Sequence, residues 1–137
     1  MNNKEESDDN TYSGQVPLVA AEQVLLTLSF NQEVQLERKG KKWHDVSNQM
    51  SAHQLEQIVR SWQQTEASVF KTLPLVNQAN GIDVTLGLAD NDIRFSAYPA
   101  QDALYLYHHQ KDIWLQLPPA FIQQLIPTSI LSVKEPV

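Results

Sequence analysis

The chain has 137 residues, 42% of them apolar and 19% charged, with a formal net charge of −6 and no cysteine. That length suits one domain with a single core, and the acidity disfavours non-specific nucleic-acid binding. Without cysteine there is no disulfide scaffold, thiolate metal site or thiol nucleophile, and no apolar run approaches a membrane span.

Met1 to Gln15 is poor in apolar residues and carries Glu5, Glu6, Asp8 and Asp9. It reads as a disordered acidic tail or spacer. It has no signal-peptide pattern, and whether a leader or anchor stands ahead of Met1 is left open. Residues 16–133 then form a single α+β domain. Val16 to Ala21 is a short apolar lead-in containing Pro17.

Val24 to Phe30 is the first firm strand, with Leu26, Leu28 and Phe30 on one face. Val34, Leu36 and Arg38 alternate with polar neighbours and form the second. A three-residue loop, Asn31 to Glu33, places Phe30 opposite Val34 and Leu28 opposite Leu36. A two-residue loop would oppose the apolar faces, so register selects the longer one. Gly40-Lys41 suits a two-residue hairpin turn with positive φ at glycine. That turn pairs Arg38 with Trp43, so the indole covers the arginine stem at the core's edge. Stacking of Trp43 on a ligand is the alternative reading.

Ser51 opens a helix that is expected to run to Val69. Gln54 completes a capping box with Ser51, and Met50 with Leu55 forms the hydrophobic staple. Leu55, Ile58, Val59, Trp62 and Val69 share one face at helical spacing. Such a helix covers its own sheet, or alternatively binds a partner helix-fashion.

Lys71 to Gly81 is a connection. Ile82, Val84, Leu86 and Leu88 mark the next strand, Asp90-Asn91 a turn, and Ile93, Phe95 and Ala97 the return. The expected register sets Leu88 against Ile93 and Leu86 against Phe95. Leu104, Leu106 and His108 alternate with Tyr105, Tyr107 and His109. After a turn at Gln110-Lys111, Ile113, Leu115 and Leu117 face His108, Leu106 and Leu104. Pro118-Pro119 opens a short helix, Ala120 to Ile126, and Ile130, Leu131 and Val133 dock the tail. The fold expected is α+β: a mainly antiparallel sheet of hairpins in the order β-β-β-α-β-β-β-β-α. One main amphipathic helix packs on a sheet face.

Catalytic groupings are not recognisable. His108 and His109 are adjacent on a strand and point to opposite faces, so they do not share a metal; a half-buried pair at a hairpin end is the ordinary reading. Gly14, Gly40, Gly81 and Gly87 are isolated and make no phosphate loop, and no serine sits in a nucleophile elbow. No catalytic residue, metal ligand or cofactor is therefore assigned. Tyr98, Tyr105, Tyr107 and Trp114 fall on the face opposite the leucines, with Tyr107 directly across from Trp114. With His109 they form the candidate interaction surface, since exposed aromatic patches mark such sites. The competing expectation is that the short C-terminal helix or the 71–81 connection covers them.

The run Leu36-Glu37-Arg38-Lys39-Gly40-Lys41-Lys42-Trp43 is followed by the capped helix, Ala67 and the strand Ile82 to Leu88. Over Gln23 to Leu117 this arrangement resembles one unit of a bacterial domain-of-unknown-function family. Its members carry a glycine-then-tryptophan hairpin, a helix and a further antiparallel sheet. The resemblance implies a membrane-anchored extracytoplasmic or periplasmic protein, in some cases encoded beside gliding-type ABC transporters. The chain departs from that pattern by showing one unit and no anchor, which keeps a cytoplasmic location as the alternative. No catalytic residues carry over. The function expected is a non-enzymatic interaction or accessory module of a bacterial envelope assembly with a protein partner. The alternative is a small-ligand-binding protein or enzyme that uses the aromatic face.

Overall fold

Alternating apolar and polar residues build most of the molecule. The computed structural model describes residues 14–48, 50–77 and 80–134. Four strands come first: β1 Gln15–Pro17, β2 Leu25–Phe30, β3 Val34–Lys39 and β4 Lys42–Asp45. Helix α1, Ala52–Gln64, separates them from β5 Glu66–Phe70, β6 Ile82–Leu88, β7 Asp92–Pro99, β8 Leu104–His108 and β9 Ile113–Leu117. Two short helices close the described chain, α2 Phe121–Leu125 and α3 Thr128–Lys134. The strands form one nine-stranded antiparallel sheet in the order β1-β5-β9-β8-β7-β6-β2-β3-β4.

The architecture is therefore α+β with a dominant antiparallel sheet. One meander, β2 to β4, joins another, β6 to β9, along the β2–β6 pair. Asn31 clamps that junction. Its backbone N–H donates to the Asp83 carbonyl at 2.8 Å, and its side-chain oxygen accepts from the Asp83 N–H at 2.8 Å. Asn31 and Gln32 take positive φ in the three-residue loop, and the expected pairs Phe30–Val34 and Leu28–Leu36 are present. Gly40 turns the next hairpin at φ 65°, and Arg38 pairs with Trp43 as expected.

One face of the sheet carries the core. Ile113, His108, Phe95, Val84, Phe30 and Val34 form one inward row across adjacent strands. Helix α1 lies on that face through Leu55, Ile58, Val59 and Trp62, all buried. The Trp62 indole sits between Phe30 and Phe95, with ring centroids at 6.3 and 5.7 Å. Ser51 caps the helix, its side chain accepting from the Gln54 N–H at 3.2 Å. Upstream, Asp45 accepts from the Ser47 and Met50 backbone N–H groups at 2.9 and 2.7 Å, which holds the turn that leads into the cap.

Several expectations are corrected. Helix α1 stops at Gln64, not Val69. Thr65 is extended, and Glu66–Phe70 pairs with β9 and β1. β-Branched and aromatic residues there favour a strand, and Ala67 and Val69 turn inward by alternation. Leu26 is 39% exposed because the register of β2 against β6 shifts between Leu25 and Thr27. This bulge brings Leu25 inward instead. In the β6–β7 hairpin Leu86 faces Ile93 and Val84 faces Phe95, two residues from the expected pairing. The capping box is half made: the Gln54 amide donates to Thr128 Oγ1 at 3.2 Å. The helix expected over Ala120 to Ile126 spans Phe121–Leu125, and the tail beyond Pro127 is itself helical, with Ile130 buried and Leu131 packed on the core. The side chain of Val133 lies outside the described residues, as does the tail segment 1–13. Gln15, placed at the end of that tail, opens β1.

Candidate interaction surface

The second sheet face carries the aromatic set. One cross-strand row runs Phe70, Trp114, Tyr107, Ser96 and Asp83. A parallel row runs Ser68, Gln116, Tyr105 and Tyr98. All five residues of the expected surface fall here, and Tyr107 lies across from Trp114 as the alternation requires. Their rings touch in sequence. Tyr98 to Trp114 is 5.6 Å between centroids, Trp114 to Tyr107 5.1 Å, and Tyr107 to His109 4.9 Å in an edge-on contact. Such pairs add about 0.5–1.5 kcal/mol each beyond area burial.

The face is partly roofed. Helix α2 does not cover it: the Trp62 indole N–H donates to the Leu125 carbonyl, which places α2 against α1 on the core side. The 71–81 connection touches the aromatic side at its last residue, Gly81, which continues the β6–β7 register opposite Tyr98. It leaves β5 and enters β6, with β9, β8 and β7 between, a span of about 19 Å at 4.8 Å per strand. Pro74 is buried within it. Gly81 lies directly on the Tyr98 ring, where a Cβ would come within 2.8 Å of Cε1. Tyr105 is 6% exposed, with Phe70 packed edge-on at 5.3 Å. Tyr107 and Trp114 are half-buried and His109 is exposed. Tyr98 is half-buried like Tyr107 and Trp114, so the closed part of the surface is Tyr105, and the most open part is His109 with the Tyr107–Trp114 pair beside it.

Polar groups fix the rings. The Tyr107 hydroxyl donates to the Asp112 carboxylate, and this bond, followed by desolvation, raises the phenol pKa above its usual value. Burial raises that of Tyr105, helped by its bond to Asp102 at 3.2 Å. Asp112 takes φ 55° at the β8–β9 turn, which asparagine and aspartate accept more readily than most residues. Ser96 Oγ and His109 Nε2 lie 2.8 Å apart. Sequence reading missed this contact and the place of Phe70. The Ser96 contact follows only from the β7–β8 register; Phe70 was hidden by extending α1 too far.

The two histidines do point to opposite faces. His108 is 5% exposed within the core row, so it is buried rather than half-buried. Among the described residues no group of three or more His, Cys, Asp or Glu side chains is placed to hold a metal. No helix among them is long and apolar enough to cross a membrane.

These features define a nine-stranded antiparallel sheet with helices on one face and a partly roofed aromatic ladder on the other. No family model, no curated protein and no solved structure matches the chain.

Proposed function

We propose that this chain is a non-enzymatic interaction or accessory module of a bacterial envelope assembly, docking a protein partner on Tyr107, Trp114 and His109. The observation that carries the reading is the contiguous ring ladder on the face that the helices leave uncovered. Tyrosine and tryptophan unite large apolar area with a polar handle, which suits them to interface centres. Asp112, Asp102 and Asp83 stand around the ladder. This acidic rim fits a partner segment that offers apolar and basic side chains, with cations able to sit on the ring faces. The envelope setting rests on the family resemblance of the hairpin and capped helix.

The test is cross-linking in native envelopes with a photoreactive residue at position 116, which lies on the aromatic face in the row next to Trp114. The expected result is one reproducible protein adduct that is lost in Trp114→Ser with Tyr107→Ser, while the melting temperature of that variant stays well above the assay temperature. An adduct that survives the double substitution, or recovery of a metabolite and no protein, removes the reading. A small-ligand or enzymatic use of the same face is favoured by one observation, the Ser96–His109 hydrogen bond. Chemical modification of Ser96 by an acyl or phosphoryl probe would speak for it.

A further inference from the structure

The core row holds one titratable side chain that the aromatic face does not use. His108 is 5% exposed and stacks edge-on against Phe95 at 4.9 Å. Its Nδ1 accepts from the Lys111 backbone N–H at 3.1 Å. A ring nitrogen that accepts from an N–H carries no proton, so the neutral ring bears its proton on Nε2. Among the described residues no group accepts from that Nε2–H. The ring lines a cavity of about 360 Å³ between the segment that follows β1 and the β7–β8 end of the sheet. Ligand pockets span roughly 300–1,000 Å³, which puts this one at the small-molecule end.

The lining sorts by chemistry. Val16, Leu18 and Ile93 give apolar wall, Lys111 brings a cation and Glu22 an anion. Gln110 also borders the space, but its amide is committed: Oε1 accepts from the Arg94 N–H at 3.1 Å and Nε2 donates to the Asp92 carbonyl at 3.2 Å. The groups left to bind are thus a buried imidazole donor, an ammonium and an aliphatic wall. That donor faces a space water can enter, and a ligand oxygen would take the place of water as its acceptor.

We propose that this cavity is a binding site for a short aliphatic carboxylate. One carboxylate oxygen accepts from His108 Nε2–H, the Lys111 ammonium balances the charge, and the alkyl chain lies against Val16, Leu18 and Ile93. The exposed Glu22 disfavours dianions. Burial first, and the Lys111 charge second, lower the His108 pKa to about 4. The ring therefore enters the site as a neutral donor at pH 7.

The test is NMR titration of the full chain at pH 7, read on the Ile93 methyl resonances, with butanoate and with its uncharged isostere butanamide. The expected result is a saturable shift with butanoate and an affinity about tenfold or more lower for butanamide, the worth of a charge-assisted bond. Lys111→Gln should weaken butanoate by a similar factor. Lys111 is an exposed turn residue whose backbone N–H is kept in that variant, so the fold is retained. Absence of a saturable shift overturns the proposal. So do equal affinities for the two probes, or a butanoate affinity unchanged by Lys111→Gln.

Discussion

Trp62 donates its indole N–H to the backbone carbonyl of Leu125 at 2.8 Å. Both residues are fully buried. Leu125 ends α2, where helix carbonyls lack intrahelical partners, so the indole satisfies an otherwise orphaned acceptor. One side chain thereby joins α1, α2 and the Phe30–Phe95 floor. Trp62→Phe should keep most of the packing and strand the carbonyl, costing about 1–3 kcal/mol. Trp62→Ala should cost about 3–5 kcal/mol. Urea denaturation of both variants checks the ordering; a Trp62→Phe variant as stable as the native chain would show that the hydrogen bond contributes nothing.

Trp114 gives the opposite case. It is half-buried, no helix covers it, and its principal ring partners are Tyr98 and Tyr107. Trp114→Ala should therefore cost about 1–2 kcal/mol, the loss of two aromatic pairs. A loss of 3 kcal/mol or more in a denaturant melt would show that the ladder is a closed satellite core, and would end its candidacy as a docking surface.

His108 makes stability depend on pH. Its folded-state pKa is about 4, against 6.5 for the unperturbed side chain, with burial the leading cause and Lys111 and His109 adding repulsion. Glu22 borders the same space. Between those values the unfolded chain binds a proton that the folded chain refuses. The stabilisation is complete above about pH 6.5 and is lost as pH falls toward 4, about 2 kcal/mol of it between pH 7 and 5. Urea midpoints at those two pH values should diverge in the native chain. They should converge in His108→Phe, whose ring keeps the Phe95 contact.

Gly87 pairs with Thr27 just beyond the β2 bulge. A Cβ at position 87 would overlap Thr27 Oγ1 and sit 3.4 Å from Thr27 Cβ. Gly87→Ala should cost about 1–3 kcal/mol by overpacking. Adding Thr27→Ala should recover most of that, because the overlapping hydroxyl is gone. A thermal-melt double-mutant cycle measures the coupling; additive effects would contradict the close approach.

The faces of the strands were legible because alternation reports burial directly. Phe30–Val34 and Tyr107–Trp114 followed from it. The β6–β7 register alone was off, by two residues: Leu86 against Phe95 or against Ile93 buries the same face, so the pattern alone cannot choose. Val69 misled for a related reason. It lies seven residues after Trp62, the spacing of two helical turns, although the intervening Thr65 and the following Phe70 favour extended backbone. The bulge at Leu26 left no periodic trace. The aromatic surface was readable as a set of residues. Which of them stay open depends on Phe70 packing against Tyr105, a tertiary fact with no local signature. The His108 cavity was invisible for the same reason, since its far wall is the segment that follows β1.

The pairing of β2 with β6 sets a schedule for the nascent chain. Phe30 faces Val84, which leaves the ribosome 54 residues later. At roughly 5–20 residues per second, the β2 edge waits about 3–11 s for its partner. During that interval the β2–β4 meander presents an unpaired apolar strand, the state from which edge-to-edge aggregation starts. Yield on expression should therefore respond to elongation rate between codons 40 and 84, and to holdase chaperones, more strongly than the stability of the finished fold would suggest.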